Sequence, residues 1–221
     1  MNFEDIKAEA RRLADDNDSQ KYLWSDAEWL AWANEAQDEA CRRARLIVDS
    51  TTAACCQITL ANATATYDID DRVLFIRRAK LTGRAPVLGR VSYRDLDREI
   101  PGWESETGEP RGYIPDMDDR KFRPYPIPNA SGTVTLTVIR LPLYCMETIQ
   151  DEPEIRPHLH RKLIPWMLYR AYSKQDAETR DEKKAAMWLA EFEAEFGKRS
   201  TAIDEMWLER EHDFLESEGN F

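Results

Sequence analysis

Thr133-Val134-Thr135-Leu136-Thr137-Val138-Ile139-Arg140-Leu141-Pro142 is the stretch that decides the fold. Threonine alternates with aliphatic residues, the two-residue period of a strand with one face in a core, and Pro142 stops it by removing a backbone donor. Working back from it, Gln57–Leu60, Ala65–Ile69, Val73–Ile76, Val87–Val91 and Phe122–Pro126 share the texture of short β-type runs cut by turn residues. Pro101 to Pro128 carries Gly102, Gly108 and Gly112 with Pro110, Pro115, Pro124 and Pro126, a mix that favours extended loops and sheet edges. Ser92 is placed to cap one helical turn over Tyr93–Ile100, with Leu96 and Ile100 on one face.

On either side of this β-rich stretch the hydrophobic period is helical. Phe3, Ile6, Ala10 and Leu13 draw one stripe on a short helix that ends in the polar run Asp15–Gln20. Ser25-Asp26-Ala27-Glu28 is a capping box, in which Ser25 and Glu28 satisfy backbone N–H groups at a helix start. The stripe that follows, Trp29, Ala33, Ala36, Ala40, Ala44 and Ile47, is narrow and rich in alanine, so it permits close helix approach within the chain or to a neighbouring subunit.

After Pro142, Leu159, Leu163, Trp166, Met167 and Ala171 restore the helical period, and Pro165 is expected to kink or restart the helix. Ala185, Leu189, Phe192 and Phe196 mark a further helix stopped by Gly197. A last amphipathic helix is expected from the Ser200 cap through Ile203, Trp207, Arg210 and Phe214. Its apolar stripe is too thin for a domain, so it either folds back on the bundle or docks on another chain. The expected fold is α+β: a helical bundle with an inserted antiparallel β-rich subdomain and an extended C-terminal helix. The segments are 1–56 for the N-terminal helices, 57–141 for the insertion, 142–197 for a helical hairpin and 198–221 for the tail.

Charge narrows the function. Of 221 residues 33% are charged against a usual share of about 25%, and the net charge is -11. Basic and acidic residues number 7 and 12 in 1–56, 13 and 12 in 57–141, 8 and 11 in 142–197, and 3 and 7 in 198–221. Acidity sits at the two ends. No Lys/Arg cluster is available to hold phosphates, the main source of DNA affinity, whereas an acidic surface suits both solubility and a wall along which DNA passes without sticking.

The candidates for chemistry are weak. His158 and His160 flank Leu159, a spacing that turns the rings about 200° apart on a helix and defeats joint metal ligation. Carboxylate pairs such as Glu104/Glu106 and Glu191/Glu195 are as common as the acidic composition dictates, and solvated faces explain them. No G-x-S-x-G elbow, phosphate loop or H-E-x-x-H motif occurs. Cys41, Cys55, Cys56 and Cys145 form no C-x-x-C pair and read as thiols in a reducing compartment. Met1–Asp18 has no apolar core of a secretory signal, no run is long enough to span a membrane, and the Asn-x-Ser/Thr triplets at Asn17, Asn62 and Asn129 are chance matches. A non-enzymatic chain with no cofactor and no metal is expected.

The order of several motifs carries a resemblance. Trp24-Ser25-Asp26-Ala27-Glu28-Trp29-Leu30-Ala31-Trp32-Ala33-Asn34-Glu35-Ala36-Gln37 comes first, then Tyr67-Asp68-Ile69 with Val73-Leu74-Phe75-Ile76. Trp103 with Gly108-Glu109-Pro110-Arg111-Gly112-Tyr113 follows, then Pro124-Tyr125-Pro126. Last come Glu154-Ile155-Arg156-Pro157, His160, Leu163, Trp166, Leu168, Ala171-Tyr172 and Asp176-Ala177-Glu178, with Arg156 as an insertion relative to the pattern. Across Trp24–Gly197 the chain resembles the head-to-tail adaptor (connector) family of double-stranded-DNA bacteriophages, tail tubular protein A-like, portal-binding adaptors.

The resemblance implies a structural subunit of the virion, assembled in the host cytoplasm as a dodecameric ring at the head-tail junction. Its implied partners are copies of itself, the portal protein, a downstream tail or nozzle protein, and double-stranded DNA crossing the lumen unbound. The tail residues Ile203, Trp207, Arg210 and Phe214 become portal-interface candidates, and Trp29, Ala33, Ala36 and Ala40 subunit-interface or core candidates. Two alternatives stand beside this reading: a phage-associated peptidoglycan hydrolase, and an intracellular scaffold unrelated to phages.

Overall fold

The computed structural model describes residues 1–199 apart from 19, 116, 119 and 176–178. In chain order the elements are α1 (Phe3–Ala14), α2 (Asp26–Ala44), β1 (Ile47–Asp49), α3 (Ala53–Cys56), β2 (Gln57–Leu60), β3 (Tyr67–Asp68), β4 (Val73–Leu81) and β5 (Gly89–Arg90). There follow α4 (Tyr93–Glu99), β6 (Thr107–Gly108), β7 (Gly112–Ile114), β8 (Lys121–Tyr125), β9 (Ile127–Pro128), β10 (Gly132–Arg140), α5 (Ile164–Ser173) and α6 (Glu182–Phe196). Two compact units result, a helical one from Met1–Ile47 with the described residues after Arg140, and a β-rich one from Val48–Arg140. The fold is α+β, as the periodicities predict.

In the helical unit α5 packs against α6, α2 and α1. The capping box forms as the sequence predicts: Ser25 Oγ accepts the Glu28 N–H, and the Glu28 carboxylate accepts the Ser25 N–H at 2.9 Å. Trp24, Trp29 and Trp32 pack edge to face at centroid distances of 5.6 and 5.2 Å, which orients three large side chains at the start of α2. Ala33, Ala36 and Ala40 are fully buried beyond them. Three stripe residues differ from expectation: Ala14 takes the buried place expected for Leu13, which is 40% exposed, Ala44 is exposed because α2 ends there in a left-handed Arg45, and Ile47 lies beyond the helix in β1. Pro165 restarts the helix: a 3-10 segment over Pro157–Leu163 gives way to α5, with the proline in its first turn where no N–H is needed.

In the β-rich unit β10 is the centre of a four-stranded sheet, flanked by β1 and β2 on one path and by β4. A second sheet runs β3-β8-β7-β5. The expected strand alternation holds in β10, where Val134, Leu136 and Val138 are buried while Thr135 is exposed. The pairing is not wholly antiparallel: β5 with β7 and β6 with β9 run parallel. Gly112 permits the first of these, since a Cβ there would stand 2.7 Å from Val91 Cγ2 and 2.8 Å from the Gly89 carbonyl oxygen. The turn predicted over Tyr93–Ile100 forms as α4 with Ser92 as cap, Leu96 buried and Ile100 left 38% exposed.

Candidate functional site

The most worked surface of the helical unit is the loop from Leu143 to Glu154, which lines an open groove. It holds no regular secondary structure, so side chains and neighbouring helices must satisfy its backbone. Asn34 on α2 does this at the floor: its side-chain oxygen accepts the Met146 N–H at 2.8 Å and its amide donates to the Met146 carbonyl at 2.9 Å. One turn along, Gln37 accepts the Glu154 N–H at 2.5 Å. Reciprocally, the first N–H groups of α1 are capped by the loop, Phe3 donating to the Asp151 carbonyl at 2.8 Å and Glu4 to the Ile149 carbonyl at 3.0 Å.

Inside the loop the Asp151 carboxylate accepts the N–H groups of Glu147 and Thr148 at 2.7 and 2.8 Å. The Thr148 and Glu147 amides hold that carboxyl below its usual range. With the backbone so committed, other side chains face out. Tyr144 is 80% exposed, Ile149 is 44% exposed, and Cys145, Glu147 and Glu152 are exposed beside them. An aromatic ring and two carboxylates on a pinned backbone suit a cationic side chain of a partner.

Elsewhere the polar clusters are structural. Arg11, 6% exposed, pairs with buried Asp16, donates to the Trp24 carbonyl at 2.9 Å and reaches Asp26 at 2.8 Å, closing the turn between α1 and α2. His160 is buried, its Nε2 2.9 Å from the Ile155 carbonyl and its Nδ1 2.9 Å from the Met1 carbonyl and 3.2 Å from the Met1 amine, so the ring joins the loop end to the start of the chain. His158 is exposed and takes no part. Among the described residues no cluster of three His, Cys, Asp or Glu side chains has metal-binding geometry, and no helix is long and apolar enough to cross a membrane.

In the β-rich unit Asp49 and Arg140 form a buried ion pair at 2.7 Å. Asp49 also accepts the N–H and hydroxyl of both Thr51 and Thr52. Burial alone would raise this carboxyl, but the Thr51 and Thr52 bonds and Arg140 outweigh it and hold the group well below the usual carboxylate range. Arg72 holds Asp70 down to about 2 in the same way, against the effect of burial. Burial and the nearby Asp49 charge push the Cys56 thiol up to about 11, and burial with the Asp70 charge raises Cys55. These thiols are protonated at neutral pH and poor nucleophiles.

Of the candidate residues, Trp29, Ala33, Ala36 and Ala40, expected at a subunit interface or in the core, all lie at 0% exposure in the core of the helical unit. Ile203, Trp207, Arg210 and Phe214 lie outside the described residues. Sequence reading missed Asn34 and Gln37 as anchors. The available signal was two amides one turn apart on a helix otherwise lined by alanine and tryptophan. Compared with known families, the model described as SU10 adaptor protein matches residues 1–211. No curated protein matches the chain.

Proposed function

Because this chain belongs to the SU10 adaptor protein family, and is thereby a structural adaptor component of a bacteriophage virion, we propose that it forms the ring joining the portal to the tail. The observation that carries the reading is the family match over residues 1–211, nearly the full length of 221. In this role twelve copies close a dodecameric ring whose lumen is the DNA exit channel. The net charge of -11 supports passage of DNA without capture, because a wall of like sign offers no phosphate contacts to break.

The groove loop supports a docking role for the helical unit, since its backbone is fixed before any partner arrives and little ordering entropy remains to be lost on binding. Portal contact is assigned to residues 198–221, through Ile203, Trp207, Arg210 and Phe214, and the opposite ring face meets the next tail or nozzle protein. Two experiments test this. Mixed with the portal of the same phage, the purified chain gives closed rings by negative-stain electron microscopy, and a persistent monomer refutes the ring. Removing residues 198–221 abolishes portal binding with the far-ultraviolet circular dichroism of the remainder intact, and unchanged binding refutes the role of the tail.

A further inference from the structure

The β4 strand carries an unusual presentation of charge. In its register with β10, Thr137 faces Arg78 and Val138 faces Ile76, so Arg77 is an extra residue, a β-bulge. Leu74 is a second, between Phe75 opposite Ile139 and Val73 opposite Arg140. A bulge resets the alternation of side chains, and here the adjacent residues Arg77 and Arg78 both come out exposed. Neither makes an ion pair with any described residue, whereas Arg72, Arg98, Arg111, Arg120 and Arg140 of the same unit each do. Among the described residues, Val73–Arg78 has one strand neighbour, β10, so the other edge is open.

Bulges and charges are what protect an open edge from pairing with another strand. An edge built this way is suited to docking through side chains and not through its backbone. Two adjacent guanidinium groups call for carboxylates and an aromatic face. The Leu143–Glu154 groove of the helical unit offers both, with Glu147 and Glu152 exposed and the Tyr144 ring 80% exposed. We propose that Arg77 and Arg78 on the bulge of β4 dock into the Tyr144/Glu147/Glu152 groove of a second copy of this chain.

The contact is head-to-tail: each copy gives an arginine pair to one neighbour and a groove to the other, which is the type of interface that closes a ring. The inference rests on the ring reading above and names the surfaces that make it. Tyr144 stacks on a guanidinium plane while the carboxylates meet its N–H groups. The unpaired arginines thereby gain the partners that they lack within one copy.

Charge reversal tests it in the full-length chain mixed with portal, with ring formation read by electron microscopy and mass by sedimentation velocity. Arg77→Glu/Arg78→Glu alone, and Glu147→Lys/Glu152→Lys alone, each lower the assembled fraction by at least about tenfold, since like charges then face each other. All four sites are exposed, and a circular dichroism spectrum matching the parent confirms that the variants fold. Mixing the two variants restores rings, because alternating copies recover both attractions, and this rescue places the contact between copies. Rings from the parent and from both variants alike overturn the contact and leave the ring reading standing. Normal rings with reduced retention of double-stranded DNA by Arg77→Glu/Arg78→Glu assign the pair to DNA and overturn the contact. A parent that stays monomeric with its portal overturns the ring reading and the contact with it.

Discussion

Asn34→Ala removes both hydrogen bonds that fix Met146, and its effect can be worked from the geometry. Each bond contributes a net of about 0.5–1.5 kcal/mol, so the loop loses about 1–3 kcal/mol of anchoring. The upper half of that range applies because Met146 is 4% exposed and its freed N–H and carbonyl meet little water. The helix that carries Asn34 loses nothing, since alanine is the best helix former. The cost therefore falls on opening of residues 143–154, which becomes about 30- to 150-fold more frequent. Amide hydrogen exchange measured peptide by peptide reads this directly: Met146–Thr148 accelerate by that factor while α6 amides keep their parent rates. Asn34→Asp keeps the acceptor for the Met146 N–H and loses the donor to its carbonyl, so it falls between parent and alanine. Unchanged exchange in 143–154, or equal acceleration across the whole helical unit, would refute the idea that Asn34 acts as a local anchor of the groove.

Three further outcomes are expected. Asp49→Ala leaves the buried Arg140 without its 2.7 Å partner and costs about 3–5 kcal/mol in urea unfolding, while Asp49→Ala/Arg140→Met costs clearly less; equal costs would contradict a buried pair. Asp49 and Asp70 both have depressed folded-state values, so the stability that they contribute is complete above the ordinary carboxylate value of 3.8 and is lost as pH falls through their folded values, for Asp70 about 2. Thermal melts at pH 6, 4 and 2.5, pH values chosen to bracket about 3.8, show the parent losing more between the last two than Asp70→Asn does, and parallel curves would contradict this. Gly112→Ala forces β5 and β7 apart by steric contact with Val91 and the Gly89 carbonyl, at about 1–3 kcal/mol in the same urea assay; a neutral result would mean that the parallel pair adjusts freely.

Local chemistry was the most legible part of the fold. Ser25 and Glu28 announce their helix because the capping box is written within four residues, and the Thr/aliphatic alternation of β10 survives because the strand pairs with β1, β2 and β4 of one sheet. The stop at Gly197 and the restart at Pro165 are equally local. Competition between similar residues was not legible. Leu13 and Ala14 both suit the stripe of α1, and the choice of Ala14 is made by packing around Trp24 and Tyr172, whose hydroxyl donates to the Ala14 carbonyl at 3.4 Å. The end of α2 at Ala44 rests on a left-handed arginine, a position at which glycine would have given warning.

The groove was invisible for a different reason. Leu143–Glu154 has no period and no turn signature, and its shape comes from Asn34 and Gln37, more than a hundred residues earlier in the chain. Those two amides stand inside the first motif of the family resemblance, where they read as part of a helix pattern and not as anchors. The bulge at Arg77 was hidden likewise, because a bulge is a property of register between two strands and the sequence of β4 alone reads as an ordinary run.

Cys145 gives the groove one more property. Of the four cysteines, Cys41, Cys55 and Cys56 are buried, and Cys145 is exposed on the groove loop. A maleimide dye added briefly at neutral pH therefore marks that loop selectively, with no substitution introduced. Each labelled copy then carries one fluorophore inside the groove, and a partner already seated there protects the thiol from the dye. The same thiol makes storage without reductant hazardous, since disulfides between loops would fasten particles together in pairs unrelated to assembly.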